Sequence, residues 1–336
     1  MGSARTLAGT LAMTVAVERF PIAGRFAISR GARTEAVVVT VTIADGGAVG
    51  RGECVPYARY GETVEGVAAA IDAMRSAVED GLDRRALQER MPAGAARNAL
   101  DCALWDLDAK RSGVPAHVAA GIDRLRPVAT AYTISLGKPC EMAEAVARAS
   151  DRPILKVKLG APEGDLERIA AVRAAAPGAT LIADANEGWT EDNLDLHLSA
   201  CADAGFALIE QPVPAAKDEM LRGRRRAVPL CADESVHDRN GLARLVGLYE
   251  AVNIKLDKTG GLTEAFALAE TAERAGFALM IGCMLGTSLA MAPALLLAPR
   301  ARFVDLDGPL LLARDRDDGL RYEGSLVHPP SPALWG

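Results

Sequence analysis

The chain has 336 residues, half of them apolar, which is more than one ordinary domain needs and enough to bury a large core without covalent staples. Its 38 basic and 44 acidic side chains are well mixed and leave a net charge of -6, which excludes a nucleic-acid surface as the organising feature. No apolar window of about 20 residues exists, so a membrane-spanning helix is excluded as well.

The opening MGSARTLAGTLAM has no apolar run long enough for a secretory leader. Residues 36–44, AVVVTVTIA, alternate and are β-branched, which predicts a strand. Asp45-Gly46-Gly47 then reads as a hairpin turn into a second strand that runs through Glu53. Thr63 opens an apolar-periodic helix that reaches about Gly81. A second helix, Ala95 to Arg111, places Ala99, Ala103, Leu104 and Leu107 on one face, and Gly113-Val114-Pro115 ends it. This is an α+β unit without regular strand–helix alternation. The six cysteines, Cys54, Cys102, Cys140, Cys201, Cys231 and Cys283, are scattered along the chain and form no CxxC pair. They read as free thiols in a reducing compartment, and the chain as a cytoplasmic protein.

From about Thr130 the pattern changes. Eight short apolar runs alternate with amphipathic stretches: ATAYTIS from Ala129, PILKVKL from Pro153, TLIADA from Thr180, ALIEQP from Ala207, PLCADE from Pro229, AVNIKL from Ala251, ALMIGC from Ala278 and RFVDLD from Arg302. Seven helices are expected between them, for example Gly164 to Ala176 and Gly261 to Gly276. A spacing of about 25 residues per unit suits a parallel (β/α) barrel of eight strands. An open doubly wound sheet is the competing topology, but no GxGxxG follows any of the runs.

A barrel predicts that functional groups cluster at the C-terminal strand ends, because those ends share one mouth. Six of the eight runs end in charge: Lys156 and Lys158, Asp184, Glu210, Asp233 with Glu234, Lys255, and Asp305 with Asp307. Asp184, Glu210 and Asp233 fall on three consecutive ends. Three carboxylates in register repel one another unless a cation sits among them, and an all-oxygen set favours Mg²⁺ over Zn²⁺. Lys156 and Lys158 are two apart, so both point to one side of their strand. Lys255 arrives from across the mouth. Two lysines facing each other across a substrate suit a 1,1-proton transfer, in which one removes an α-proton and the other returns a proton to the opposite face. Crowding of cations is expected to lower the lysine pKa toward the working pH, with the metal stabilising an enediolate. His117, His197, His237 and His328 fall on none of the strand ends and read as structural or surface groups. The arginine run Arg222, Arg224, Arg225 and Arg226 reads as a solvated patch.

KVK at 156–158, DANEGW at 184–189, EQP at 210–212, ADES at 232–235 and NIKLDKTGG at 253–261 resemble the enolase superfamily in its muconate-lactonizing subgroup. That superfamily is a worked case of a Lys or His base acting with Mg²⁺. RGECVPYARYGET, PAGAARNALDCALWDLDAKR, GCMLGTS and DLDGPLLLARD narrow the resemblance to the dipeptide epimerases. It implies an α+β capping domain over 1–124, a (β/α) barrel over 125–310, and a C-terminal segment, 311–336, that returns to the cap. It implies one Mg²⁺ per subunit held by Asp184, Glu210 and Asp233, with Lys158 and Lys255 as the acid/base pair. Lys156 would assist at the substrate carboxylate, and Asp305 and Asp307 would hold the ammonium of a dipeptide such as L-Ala-D/L-Glu. Thr133 and the backbone around Cys283 and Leu285 would line the site. A cap loop, Gly24 to Thr34, would close over it with Arg30 or Arg33 on a side-chain carboxylate. Tyr57, Tyr60 and Gly61 belong either to a second cap loop near the substrate or to simple packing. The partner implied is a small dipeptide, with no nucleic acid and no membrane, and a homo-oligomer is compatible. An N-acyl amino acid racemase, an o-succinylbenzoate synthase or a muconate cycloisomerase on the same scaffold is the alternative. A catalytically silent binding barrel is the alternative of another class.

Overall fold

The computed structural model describes residues 11–336. Most of the opening stretch examined for a leader, residues 1–10, lies outside the described residues. No helix of the described residues is long and apolar enough to cross a membrane.

Strands β1 (Ala12–Ile28), β2 (Gly31–Asp45) and β3 (Ala48–Cys54) form an antiparallel sheet. The β2–β3 turn falls at Gly46-Gly47, as the sequence predicts. β1 is an addition to that reading. Its ladder with β2 is interrupted between Pro21 and Phe26 and then resumes to the pair Ile28 and Gly31, because proline has no N–H for the ladder. Residues 24–34 are therefore the tip of a two-stranded ribbon and not an irregular loop. The helix expected from Thr63 to Gly81 is broken into Val64–Asp72 and Arg75–Glu79, and a further helix, Arg84–Arg90, follows. Thr63 caps the first of them by accepting from the Gly66 N–H. Helix Ala95–Ser112 ends at Gly113 in the left-handed region. It presses on β3 so closely that a Cβ at Gly52 would lie 2.0 Å from the Ala99 carbonyl oxygen.

After a two-residue strand β4 (Val128–Ala129), eight parallel strands follow, one in each of the eight apolar runs. They are β5 (Tyr132–Ile134), β6 (Ile154–Lys158), β7 (Thr180–Asp184), β8 (Leu208–Glu210), β9 (Leu230–Ala232), β10 (Ala251–Ile254), β11 (Ala278–Ile281) and β12 (Phe303–Val304). Their spatial order is their chain order. The sheet curls until its edges meet, where the Ala131 N–H donates to the Val304 carbonyl at 2.8 Å. Five of the connections carry α-helices: Pro139–Arg148, Asp165–Ala175, Leu194–Asp203, Leu262–Arg274 and Ser288–Ala294. The other two expected helices, after β8 and β9, are seven-residue 3-10 segments, Ala215–Leu221 and Arg239–Leu245. Pro212 and Pro214 remove backbone donors just before the first of these, and tight helices of this kind stay short. β13 (Tyr322–Glu323) and β14 (Leu326–Val327) pair back onto β4. The final residues then reach the cap: the Trp335 indole donates to the Cys102 carbonyl at 3.0 Å and the Gly336 N–H to Asp106 at 2.7 Å.

The period of two along each strand divides the ring interior into layers. Ala131, Ile182, Leu208, Cys231, Ala251 and Met280 pack together as an apolar plug. Two residues further along the same strands, on the same inward face, stand Thr133, Asp184, Glu210, Asp233, Asn253 and Gly282. The outward positions, including Leu155, Val157, Leu181, Ile209, Val252 and Ile281, join the helices in the main core. A charged layer thus lies directly on an apolar one at the C-terminal mouth.

Candidate active site

A cleft of about 460 Å³ opens between the cap and this mouth. Lys158, Asp233, Lys255, Cys283, Leu285 and both Arg30 and Arg33 line it, as do Tyr57 and Tyr60, so the second cap loop does reach the cleft. Strands β6 and β10, which carry the facing lysines, have three strands between them in either direction round an eight-stranded ring, so Lys158 and Lys255 stand on opposite walls. Lys156, Asp184, Glu210, Asp305 and Asp307 are buried beneath them. Thr133 is buried too and opens toward a separate recess under the ribbon tip.

The floor is a lattice of ion pairs. The Lys156 ammonium lies 2.7 Å from Asp305, 2.8 Å from Glu210 and 3.1 Å from Asp184. Lys158 donates to Asp184 at 2.6 Å and Lys255 to Asp233 at 2.6 Å. A fourth lysine, Lys258, grips the other Asp233 oxygen at 2.5 Å and also donates to the Asn253 carbonyl at 2.9 Å. The sequence reading quoted Lys258 within NIKLDKTGG and assigned it no role. Asn253 donates to Glu210 at 2.8 Å.

These charges set the titration behaviour. Burial alone would push Lys156 and Lys255 down, but the carboxylates around each outweigh it and hold both well above the ordinary lysine range. This corrects the expectation that crowding lowers the lysine pKa: the neighbours are mostly anions. Lys258 is the exception, pushed down chiefly by burial. Asp184 and Asp233, buried as they are, are held below the usual carboxylate range by the lysines that touch them. Glu210 is pushed up by burial and by Asp184. Burial, with Asp305 beside it, also pushes Asp307 up.

Two outcomes differ from a rim of free acids. Asp305 and Asp307 lie inside the mouth, and each already has a partner, Lys156 for Asp305 and the Thr133 N–H, at 2.6 Å, for Asp307. One Asp305 oxygen remains buried without a hydrogen-bond partner. Arg30 sits at the ribbon tip and clasps the barrel, donating at 2.7 Å to both the Asn186 carbonyl and Glu234. Arg59 from the second cap loop makes a two-pronged pair with Glu187 at 2.7 and 2.8 Å. Arg33 lies over the Tyr57 ring, 5.6 Å from its centroid. The Phe26 ring lies 5.8 Å from the Lys158 ammonium. His237 packs edge-on to Tyr60, 4.6 Å between centroids, in a packing role.

A cation fits the residues present. The donor set is all oxygen, Asp184 and Glu210 are paired in register across β7 and β8, and one Glu210 oxygen is buried with no hydrogen-bond donor. Among the described residues no three acidic, His or Cys side chains already stand in coordinating geometry. The ammonium of Lys156 lies between the acids instead. The strand ends fix where the acids begin, while their side-chain torsions and those of the lysines are free to re-pair.

The surroundings of this mouth have close counterparts. Residues 141–331 match the family Enolase C-terminal domain-like, and residues 10–119 match Mandelate racemase / muconate lactonizing enzyme, N-terminal domain. The chain is 48% identical to the L-Ala-D/L-Glu epimerase of Escherichia coli (strain K12), over 93% of this chain and 97% of that one. It is 45% identical to an N-acetyl-D-glutamate racemase from Pseudoalteromonas sp, over 89% and 95%. It superposes with a TM-score of 0.96, at 57% identity, on an enolase family member from Agrobacterium tumefaciens with homology to dipeptide epimerases, crystallised with sodium and L-Ala-L-Glu, covering 97% of this chain and 100% of that one. A dipeptide epimerase from Enterococcus faecalis V583, complexed with Mg and L-Leu-L-Tyr, superposes at 0.89 with 29% identity, covering 95% and 97%. A cap built over a ring whose successive strand ends carry lysine, three acids and lysine, matched in sequence along both parts, places this chain in the enolase superfamily, in its mandelate racemase / muconate lactonizing enzyme branch.

Proposed function

We propose that the chain is a magnesium-dependent epimerase of dipeptides, with L-Ala-D/L-Glu as its substrate. The observation that carries this reading is the pair Lys158 and Lys255, which line one cleft from opposite walls of the ring. Asp184, Glu210 and Asp233 would hold the cation, which when bound supplies positive charge beside the substrate carboxylate. A cation drawing on those acids also weakens their hold on Lys158 and Lys255, which frees an amine for proton transfer. One lysine then removes the proton from Cα of the second residue, and the other, as ammonium, returns a proton to the opposite face. Lys156 keeps a positive charge beside Glu210 and Asp305 through the cycle. The bound partner of Asp305 and Asp307 would be the dipeptide ammonium, which offers three donors. The unpartnered Asp305 oxygen supports that role. Arg30 supplies a guanidinium for a glutamate side chain, and Cys283 and Leu285 wall the cleft.

The likeness to an N-acetyl-D-glutamate racemase raises a second reading, in which the amine is acylated. The two are separated by following α-proton exchange in deuterium oxide with L-Ala-L-Glu, N-acetyl-L-Ala-L-Glu and N-acetyl-L-Glu. The dipeptide reading expects acetylation of L-Ala-L-Glu to lower kcat/KM by about 100-fold, as for a charged pair that loses one partner. Equal turnover of the acetylated dipeptide would remove the role given to Asp305 and Asp307. Preference for N-acetyl-L-Glu would replace the dipeptide with the acyl amino acid.

A further inference from the structure

Three non-glycine residues among the described ones have positive φ: Asn186, Glu187 and Gln211. All three lie just beyond Asp184 or Glu210, where left-handed backbone costs about 1–3 kcal/mol and persists only if its surroundings enforce it. Gln211 is fully buried, with φ of 35°. Its backbone ties its neighbours on both sides: its N–H donates to the Cys231 carbonyl on β9 at 2.9 Å, and its carbonyl accepts from Glu187, after β7, at 2.9 Å. Its side-chain oxygen accepts from the backbone N–H of Asp233 at 2.9 Å and of Ser235 at 3.1 Å. Backbone N–H groups only donate, which fixes the orientation of the amide. Its amide nitrogen faces Val213 O at 2.9 Å, Ser235 Oγ at 2.8 Å and Tyr249 Oη at 2.9 Å. The hydroxyls of Ser235 and Tyr249 give their own hydrogens to Asp218, at 2.8 and 2.6 Å, so their lone pairs face Gln211.

We propose that Gln211 is a positioning residue that holds the ends of β7, β8 and β9 in the register their three carboxylates need to share a divalent cation. The proposal rests on the metal-dependent reading above. No other side chain touches all three connections. Gln211 follows Glu210 directly, bonds to the backbone of Asp233, and fixes Glu187 three residues after Asp184. When a cation is bound, the three acids must stay convergent against their mutual repulsion, and the Gln211 amide resists that force from behind. Its own partners, Asp218, Ser235 and Tyr249, lock its rotamer.

The test is calorimetric titration of the protein alone with MgCl₂, which needs no substrate. Gln211→Leu removes the bonds while nearly keeping the volume, and is expected to raise the magnesium Kd by about 10- to 100-fold, the usual cost of losing a group that orients metal ligands. Gln211→Glu sets a carboxylate against Asp218 and is expected to weaken binding too. Adding Asp218→Asn restores a donor to that contact and is expected to recover most of the loss, and this pair carries the comparison if the leucine variant does not fold. A wild type that binds while Gln211→Leu binds equally well, with only its Tm lowered, overturns the inference and leaves the function standing. A wild type that takes up no magnesium overturns the metal-dependent reading and the inference together.

Discussion

Arg30 holds two positions in the argument, as a clasp and as a substrate contact, and one substitution separates them. Arg30→Met keeps the apolar stem and removes the guanidinium. Lost with it are a charged hydrogen bond to Glu234 and one to the Asn186 carbonyl, both 2.7 Å. Glu234 is buried, so its bond is worth about 1.5–3 kcal/mol, and the carbonyl bond about 1 kcal/mol. The Ser29 hydroxyl, 3.1 Å from the same carbonyl, and the Arg59–Glu187 pair still hold the cap loops. The loss of closure is therefore put at about 1.5–3 kcal/mol, or about 10- to 100-fold in kcat/KM. L-Ala-L-Gln, which has no side-chain charge, is expected to show only this loss. L-Ala-L-Glu is expected to lose at least about tenfold more, because a bidentate pair is removed as well. The assay is initial-rate epimerisation of both dipeptides by polarimetry. Equal losses on the two would refute the substrate contact and leave Arg33 to make it. Unchanged rates on both would refute the clasp.

Lys158→Ala and Lys255→Ala are each expected to stop epimerisation, with about 10²- to 10⁴-fold attributable to each acid/base group. Each variant should retain deuterium exchange into one epimer only, checked by proton NMR, and exchange into both epimers would sink the two-wall arrangement. Dialysis against chelator should abolish turnover and MgCl₂ should restore it, while Asp184→Asn should cost orders of magnitude even at saturating metal. Asp101, buried against the Thr263 N–H and Gln88, is pushed up from 3.8 to about 6 by burial. Between those values the folded protein keeps a proton that the unfolded chain has released, so this contribution to stability is present at pH 4 and lost as pH rises through 6. Asp101→Asn does not titrate, so urea unfolding should show its stability relative to wild type improving by up to about 3 kcal/mol from pH 4 to 7. A constant difference across that range would show that Asp101 titrates normally.

The ring was legible because each of its strands is a continuous apolar run that ends in a charge or a small polar residue, and burial on both faces demands such runs. β1 was not, because its sequence, AMTVAVERFPIAGRFAI, is an edge strand with exposed polar positions and a proline break. The strand-end lysines and acids were legible for the same reason as the strands, since period two fixes their side. Partners set by folding were not. Nothing local marks the pairing of Arg59 with Glu187, 128 residues away, or of Arg30 with Glu234. Gln211 was visible as part of EQP, but its grip on Asp233 depends on β8 and β9 being neighbours. The lysine pKa expectation failed because it counted cations along the chain, whereas Asp233 and Glu210 reach Lys255 only in the folded ring.

Helix Ala95–Ser112 rests on the Gly260-Gly261 turn, where a Cβ at Gly260 would lie 2.5 Å from the Arg97 side chain and one at Gly261 would lie 2.4 Å from Asp101. Arg97 also donates to the carbonyls of Thr259 and Gly260, at 2.7 and 3.0 Å, and the Trp105 indole to Thr263 at 3.0 Å. Tilting the cap away from the ring would break this seam, five residues from Lys255, and disturb the wall that the lysine stands on. The ribbon tip and the Tyr57–Gly61 turn are held only by side-chain clasps. Dipeptide traffic through the mouth therefore passes by the parting of two fingertips, while the palm behind them stays pressed to the ring.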